Sequence, residues 1–298
     1  MKRPENICMR TCPVCGGEKH AILFSGVNRH GRHLQEPAAT FPVVACEGCG
    51  LMGPAGVVAD RDYYRTYYPQ GYHDDVSDHG FLARVWGNVA GGLTRGKIKA
   101  IQRFSAKKTG RIRLLDIGCG PGHFLSRLDR SVFEPHGLEP VAEAVEAAVK
   151  RGLDVSQGDV LATSLGDAAH DVVTLWHVLE HIDRPDVALA RIHAALAPGG
   201  LLVIATPNTR SLACRKGREY WFHLDAPRHL HLFNEANLSL LLEKSGFAVV
   251  HRAFLPFDFP LDLFWSVRHD WRSWVLLAFY PLAKLFDREN LLVLAQKR

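Results

Sequence analysis

The stretch Leu114-Leu115-Asp116-Ile117-Gly118-Cys119-Gly120-Pro121-Gly122-His123-Phe124 sets three glycines at alternate positions directly behind an aspartate and an apolar run. Leu114, Leu115 and Ile117 read as a buried parallel strand. Phe124, Leu125 and Leu128 recur at helical spacing, which predicts a helix over 122–130. A strand that turns at once into a helix uses glycine where the backbone takes unusual dihedral angles. Glycine there also admits a ligand close to the main chain. A loop of this kind commits the chain to a parallel, ligand-binding α/β architecture.

The sequence beyond the loop supports that architecture. Strand candidates at 132–140, 153–159, 170–178 and 199–208 alternate with helical stretches at 141–152 and 185–196, and Pro198-Gly199-Gly200 ends the second of these. Such alternation predicts a parallel sheet covered on both faces, with ligands at the carboxyl ends of its strands. Asp116, Glu139 and Asp159 end three neighbouring strands. Three acids there suit a nucleoside carrying positive charge better than a row of phosphates. The glycines run G-x-G-x-G where a dinucleotide turn takes G-x-G-x-x-G, and no Lys-Ser/Thr pair follows, which excludes a P-loop.

Five stretches, LLDIGCGPGHF, HGLEP, QGDV, VVTLWHVLEHIDRP and LAPGGLLVIATPN, resemble in order and spacing the motifs of class I S-adenosylmethionine-dependent methyltransferases. The resemblance covers roughly 110–254 and the last strand. It implies a Rossmann-like α/β fold, a seven-stranded sheet with a final antiparallel hairpin, for which 247–255 and 290–298 supply the strands. It also implies that Asp116, Gly118, Cys119, Gly120 and Gly122 line the methionine part of S-adenosylmethionine. Glu139 would meet the ribose, Asp159 and Val160 the adenine, and Trp176 would lie beside the cofactor. The branch it most resembles modifies small metabolites, sugars or lipid precursors.

Seven cysteines stand at 8, 12, 15, 46, 49, 119 and 214. Two Cys-x-x-Cys-Gly copies, Cys12/Cys15 and Cys46/Cys49, can face one ion from tight turns, making a closed four-thiolate site of structural type, with zinc as the expected metal. The expected organisation is a zinc-ribbon-like module at 1–58, then a tyrosine-rich connector and leading helix at 59–108. The methyltransferase domain follows at 109–298. Tyr63, Tyr64, Tyr67 and Tyr68 are expected to pack the module on the domain, and 81–105 to be helical. Between the hairpin strands, 256–289 is rich in Phe, Trp and Leu. It reads as a helical pair packed on the sheet edge, with a lid over an apolar acceptor placed ahead of a foot on a membrane surface.

Methyl transfer to a hydroxyl or amine needs a positioned acceptor stripped of its proton. His177, Glu180 and His181 follow the fourth strand, and the stretch 220–233 adds His223, Asp225, His229 and His231. His177, His181 and His229 are the candidate catalytic residues. His177-x-x-Glu180-His181 resembles the metal-binding E-x-x-E-H of small-RNA 2′-O-methyltransferases and ubiquinone-pathway O-methyltransferases. Histidine replaces its first glutamate, which argues against a magnesium-type oxygen site. Metal ligands, a general base at His177 or His229, and satisfied structural groups are the three readings.

Lys and Arg total 36 against 31 Asp and Glu, a net charge of +5 with no basic run. Nucleic acid is therefore not favoured as a partner. No secretory signal follows Met1 and no apolar run reaches membrane-span length, so a cytoplasmic location is expected. A small-molecule methyltransferase is the leading expectation. RNA or protein methylation guided by the zinc module, and a non-catalytic S-adenosylmethionine-binding protein, are the alternatives. The module also resembles that of sugar C-methyltransferases, whose further carboxyl-terminal domain is not expected beyond the final strand here.

Overall fold

The computed structural model describes residues 11–27, 40–57, 81–107, 109–255 and 261–298. The four tyrosines at 63, 64, 67 and 68, and the insertion's first five residues, 256–260, lie outside these. Strands β1 (His20–Val27), β2 (Thr40–Cys46) and β3 (Met52–Pro54) form a small antiparallel sheet in that order. Helix α1 (Phe81–Phe104) follows, within the stretch 81–105 expected to be helical.

The main sheet begins with β4 (Ile112–Ile117), β5 (Phe133–Glu139), α2 (Ala142–Lys150), β6 (Val155–Gln157) and β7 (His170–Trp176). Next come α3 (Pro185–Ala195), β8 (Leu196–Pro207), α4 (Leu212–Gly217), α5 (Glu235–Lys244) and β9 (Phe247–Phe254). The chain then forms α6 (Asp262–Val267), α7 (Trp274–Ala278), α8 (Tyr280–Asp287) and β10 (Asn290–Lys297). Seven strands lie in the order β6-β5-β4-β7-β8-β10-β9, all parallel except β10, which runs against both neighbours. The expected Rossmann-like sheet with its closing hairpin is present. The strand order reverses between β4 and β7, where ligands of such sheets bind.

The expected helix over 122–130 is absent. Only a 3-10 turn at Leu125–Arg127 forms. Gly118, Gly120 and Gly122 all take positive φ, at 66°, 52° and 81°, so the loop consumes the chain as far as residue 122. Leu128 is already extended, and too few residues remain for a helix to nucleate.

Central strands are buried on both faces, with Val172, Val173, Thr174 and Leu175 of β7 at 0% exposure, the pattern of a parallel sheet between helical layers. Helix α3 packs Ala188, Leu189 and Ile192 beneath it. α5 adds Leu238, Leu241 and Leu242 behind a capping box made by Asn234 and Asn237. The amino-terminal unit shares this core: Cys12, Val14, Cys46 and Leu51 cluster with Phe233, Leu238 and Leu242. Backbone hydrogen bonds join them as well, Met52 N to Leu232 O at 3.2 Å and Leu232 N to Met52 O at 2.7 Å, while Lys244 Nζ donates to Val14 O at 2.9 Å.

Candidate functional site

Register places Asp116 between Gly137 of β5 and Thr174 of β7. Thr174 Oγ1 donates to its Oδ1 at 2.6 Å, and burial pushes its carboxyl up to about 7. Glu139, also buried, accepts from Gly120 N at 2.9 Å and Val141 N at 3.0 Å, tying the glycine loop to the entry of α2. Asp159 Oδ1 accepts from Leu161 N at 2.6 Å and so shapes the turn after β6. Val160 is buried, and its carbonyl accepts from Arg191 Nε at 2.8 Å. Trp176 leans on Phe124, with ring centroids 5.0 Å apart, and Lys97 Nζ stands 4.7 Å from the Trp176 ring centroid. The indole Nε1 is buried and has no hydrogen-bond partner among the described residues, a donor that their packing leaves unsatisfied.

Two of the three glycines answer to the protein's own packing. A β-carbon at Gly118 would stand 2.5 Å from Val178 Cγ2, and one at Gly122 would collide with Leu153 Cδ1. Cys119 turns its thiol into the sheet, where a β-carbon on Gly137 would lie 2.6 Å from Sγ. The Glu139 carboxylate holds the amide of Gly120.

Beyond β7 the chain enters the histidine group. His177 has φ +56°, rare outside glycine, and its amide still continues the β7–β8 pairing to Ala205 O at 2.8 Å. Its Nδ1 is 3.6 Å from Glu180 Oε1. Thr206 Oγ1 donates to the other carboxylate oxygen at 3.0 Å, and the Glu180 carbonyl accepts from Leu230 N and His231 N. Burial of Glu180 works to raise its pKa, yet His177 and the rings of His181 and His229 hold it at about 2. The contact with His177 is the largest influence favouring the charged form of this buried carboxylate.

His181 and His229 meet edge to face at 4.6 Å. Their Nδ1 atoms face the carbonyls of Arg228, at 3.1 Å, and His223, at 2.7 Å. A carbonyl only accepts, so each Nδ1 carries the proton and Nε2 becomes the acceptor nitrogen. Burial, then the neighbouring His229, lowers His181 to about 4; burial also lowers His229. Ligand-type atoms of Glu180, His181 and His229 lie within 4.8 Å of one another, a grouping that omits His177. The sequence reading missed Arg228, buried and paired with Asp225, as well as Lys97 and Thr174. The first had a local signal, an i,i+3 acid–base pair; Lys97 and Thr174 had none.

In the amino-terminal unit the two Cys-x-x-Cys turns are alike. Gly16 N donates to Cys12 O, and Gly50 N to Cys46 O, both at 2.8 Å. The sulphurs of Cys12 and Cys49 are 3.5 Å apart, those of Cys15 and Cys46 3.4 Å, and all four lie within 4.8 Å. Four sulphurs around one zinc at about 2.3 Å stand about 3.8 Å apart. The donor set fits such an ion. A side chain at Gly17 or Gly48 would press on the Cys15 sulphur, 3.2 Å away in each case.

Residues 90–252, more than half of the chain, match the methyltransferase-domain family. The chain belongs to that family. A ubiquinone biosynthesis O-methyltransferase of Caulobacter sp. is 34% identical over 137 residues, 41% of this chain and 54% of that protein. A Mycolicibacterium smegmatis protein named "Probable S-adenosylmethionine-dependent methyltransferase" is 30% identical over 151 residues, 50% of this chain and 56% of that one. The chain spans about half the length of these curated relatives. The crystal structure of the 4+2 cyclase SpnF matches 71% of this chain and 82% of its own at a TM-score of 0.50 and 21% identity, which shows the fold. This chain thus carries a methyltransferase domain. Its carboxyl edge fits a cationic nucleoside: buried carboxylates at the ends of β4 and β5, and an unsatisfied indole donor at the end of β7. Among the described residues no helix is long and apolar enough to cross a membrane.

Proposed function

We propose that this methyltransferase acts on a small molecule seated over the carboxyl ends of β7 and β8, with His177 as general base. The observation that carries the reading is the pairing of His177 with Glu180. Its side chain is 19% exposed and stands 3.6 Å from a fully buried carboxylate whose pKa is held low by the same contact. The bound cofactor supplies a methyl group on a sulfonium. His177 takes the proton of the acceptor's hydroxyl or amine, and the Glu180 carboxylate stabilises the imidazolium that results. Thr206 fixes the Glu180 carboxylate from β8, so the acid cannot swing away from the ring. Asp116, Glu139, Asp159, Val160 and Trp176, with Gly120 at the turn, are the residues proposed to hold the cofactor. The names of the ubiquinone-pathway relatives support a small acceptor over a macromolecule. Cys12, Cys15, Cys46 and Cys49 are proposed to hold a structural zinc.

A second reading rests on the Glu180–His181–His229 group. Each imidazole gives its Nδ1 proton to a carbonyl, the usual setting of a metal-bound histidine. One carboxylate and two imidazoles suit a transition metal better than magnesium.

Methyl-tritiated cofactor offered with small-molecule extract, total RNA and total protein separates the acceptor classes. Label is expected in the small-molecule fraction alone, and transfer into RNA or protein overturns the reading. His177→Ala should then lower turnover roughly 10²–10⁴-fold with cofactor affinity unchanged. If His181→Ala costs as much, and a chelator abolishes activity that added divalent ion restores, the metal reading replaces the base.

A further inference from the structure

Helix α8 is built inside out. Lys284 and Asp287 face the protein interior at 0% and 1% exposure, while Leu282, Leu285 and Phe286 face outward at 56%, 56% and 72%. An amphipathic helix in water does the reverse. The inward charges are held by a polar network: Lys284 Nζ binds Asp262 and lies 3.5 Å from Asp287 Oδ2, and Asp287 Oδ1 accepts from Ala213 N at 2.8 Å. Asp262 in turn stands 3.5 Å from His223 Nε2. That network sets which face of α8 turns inward, so its apolar face cannot rotate into the core. The neighbouring turn and α7 continue the surface with Trp271, Trp274 and Phe279, exposed at 73%, 60% and 63%. The described part of the insertion, 261–289, is helical, as expected, but it leaves Trp265, Trp271, Trp274, Phe279 and Phe286 exposed.

Charge selects what covers this face. Within 261–289 every charged side chain that is exposed is an arginine: Arg268, Arg272 and Arg288. Asp262, Asp287 and Glu289 are buried, and Asp270 is occupied in accepting from Arg272 N and Ser273 Oγ. Arg268 stands 4.3 Å from the centroid of the Trp265 ring and Arg272 5.7 Å from that of Trp271. Arg215 and Lys216 of α4, which packs against α6 and α8, add two more exposed cations. A second copy of the chain docked face to face would set arginine against arginine, with Asp270 the one acid of 261–289 that is not buried to answer them. Tryptophan and phenylalanine ringed by cations are what a bilayer interface with anionic headgroups takes.

We propose that the segment 261–289 is a peripheral membrane foot that lays α7 and α8 on an anionic phospholipid surface. The apolar side chains enter the headgroup boundary and the arginines meet phosphate. This reverses the ranking of lid over foot drawn from the sequence, and it stands independently of the acceptor's identity.

Flotation of the full-length chain with vesicles tests it. Binding to phosphatidylcholine vesicles containing phosphatidylglycerol should exceed binding to pure phosphatidylcholine by about tenfold or more, and should weaken with added salt. Tryptophan emission should shift to the blue on binding. Trp271→Ser/Trp274→Ser/Phe286→Ser should abolish flotation, and Arg268→Glu/Arg272→Glu should erase the preference for anionic lipid. Both variants should keep the parent's melting temperature and cofactor affinity, because the side chains changed are exposed. Absence of flotation on either vesicle overturns the proposal, as does a triple variant that folds and still floats. Concentration-dependent dimerisation lost in the triple variant, without vesicle binding, assigns the face to a second copy and overturns it as well.

Discussion

Val178 fills the space that a side chain on Gly118 would need, its Cγ2 lying 2.5 Å from where the β-carbon would sit. Packing therefore constrains the glycine loop at Gly118, apart from the ligand contact proposed at Gly120. Gly118→Ala should destabilise the fold by about 1–3 kcal/mol, the cost of overpacking a well-filled site, read as a lower denaturant midpoint. Gly120→Val should instead abolish S-adenosylmethionine binding in calorimetry. A Gly118→Ala protein of parental stability would show that Val178 does not set the constraint.

Asp116, proposed to meet the cofactor, would couple its binding to pH. Burial raises its carboxyl from the model-peptide value to about 7. A raised acid is protonated in the folded state over a range where the unfolded chain has lost the proton, so it costs stability as pH rises from about 4 to 7. Binding of a sulfonium cation favours the ionised form. Affinity for S-adenosylmethionine is thus expected to rise with pH through 7 and then level off. Asp116→Asn should bind more weakly and lose that dependence. A flat profile in the parent would remove Asp116 from the site.

His181 gives the opposite sign. Its pKa falls to about 4 because burial opposes the imidazolium and His229 lies beside it. Between about pH 6.5 and 4 the unfolded chain binds a proton that the folded chain refuses, so stability declines as pH falls through that window. His181→Gln should flatten the decline, whatever it does to the absolute midpoint. Urea titrations across the window, parent against variant, provide the measurement.

Metal analysis should return one zinc for each chain, lost when Cys12 and Cys46 become serine. The cysteine unit shares its core and two backbone hydrogen bonds with the main domain. Metal loss should therefore lower one cooperative melting transition rather than add a separate early one. Freshly reduced protein that holds a disulfide within either pair would refute the zinc assignment.

What could be read from the sequence divides along physical lines. The strand around Leu114, Leu115 and Ile117 was legible because buried parallel strands are rich in apolar residues, whereas Phe133–Glu139, with Glu134, Pro135 and His136 inside it, was legible only from its place in the strand–helix alternation. Their register then brings Asp116 and Glu139 to one edge without further information. The hairpin of β9 and β10 was legible in spite of the long segment between its strands. The helix after the glycine loop was not, because Phe124, Leu125 and Leu128 carry helical spacing whether or not the glycines leave room for a turn to propagate. Periodicity in α8 gives two faces but does not say which one points inward. That depends on Asp262, a distant residue whose pairing with Lys284 only the fold creates. Val178 behind Gly118 was equally invisible, since side-chain contacts across a loop leave no periodic trace.

The position of β10 bears on how the molecule is made. It lies between β8 and β9, and among the described residues β9 has no other sheet neighbour. On the ribosome β9 emerges ahead of the strand it pairs with, and α6 to α8 are translated in between. Until β10 arrives the nascent chain carries β8 with an open edge and β9 without the strand it pairs with, a state prone to mispairing. Translation must run on through an aromatic-rich stretch before the sheet can close, and the edge of β8 is the part of the nascent chain that stays vulnerable longest.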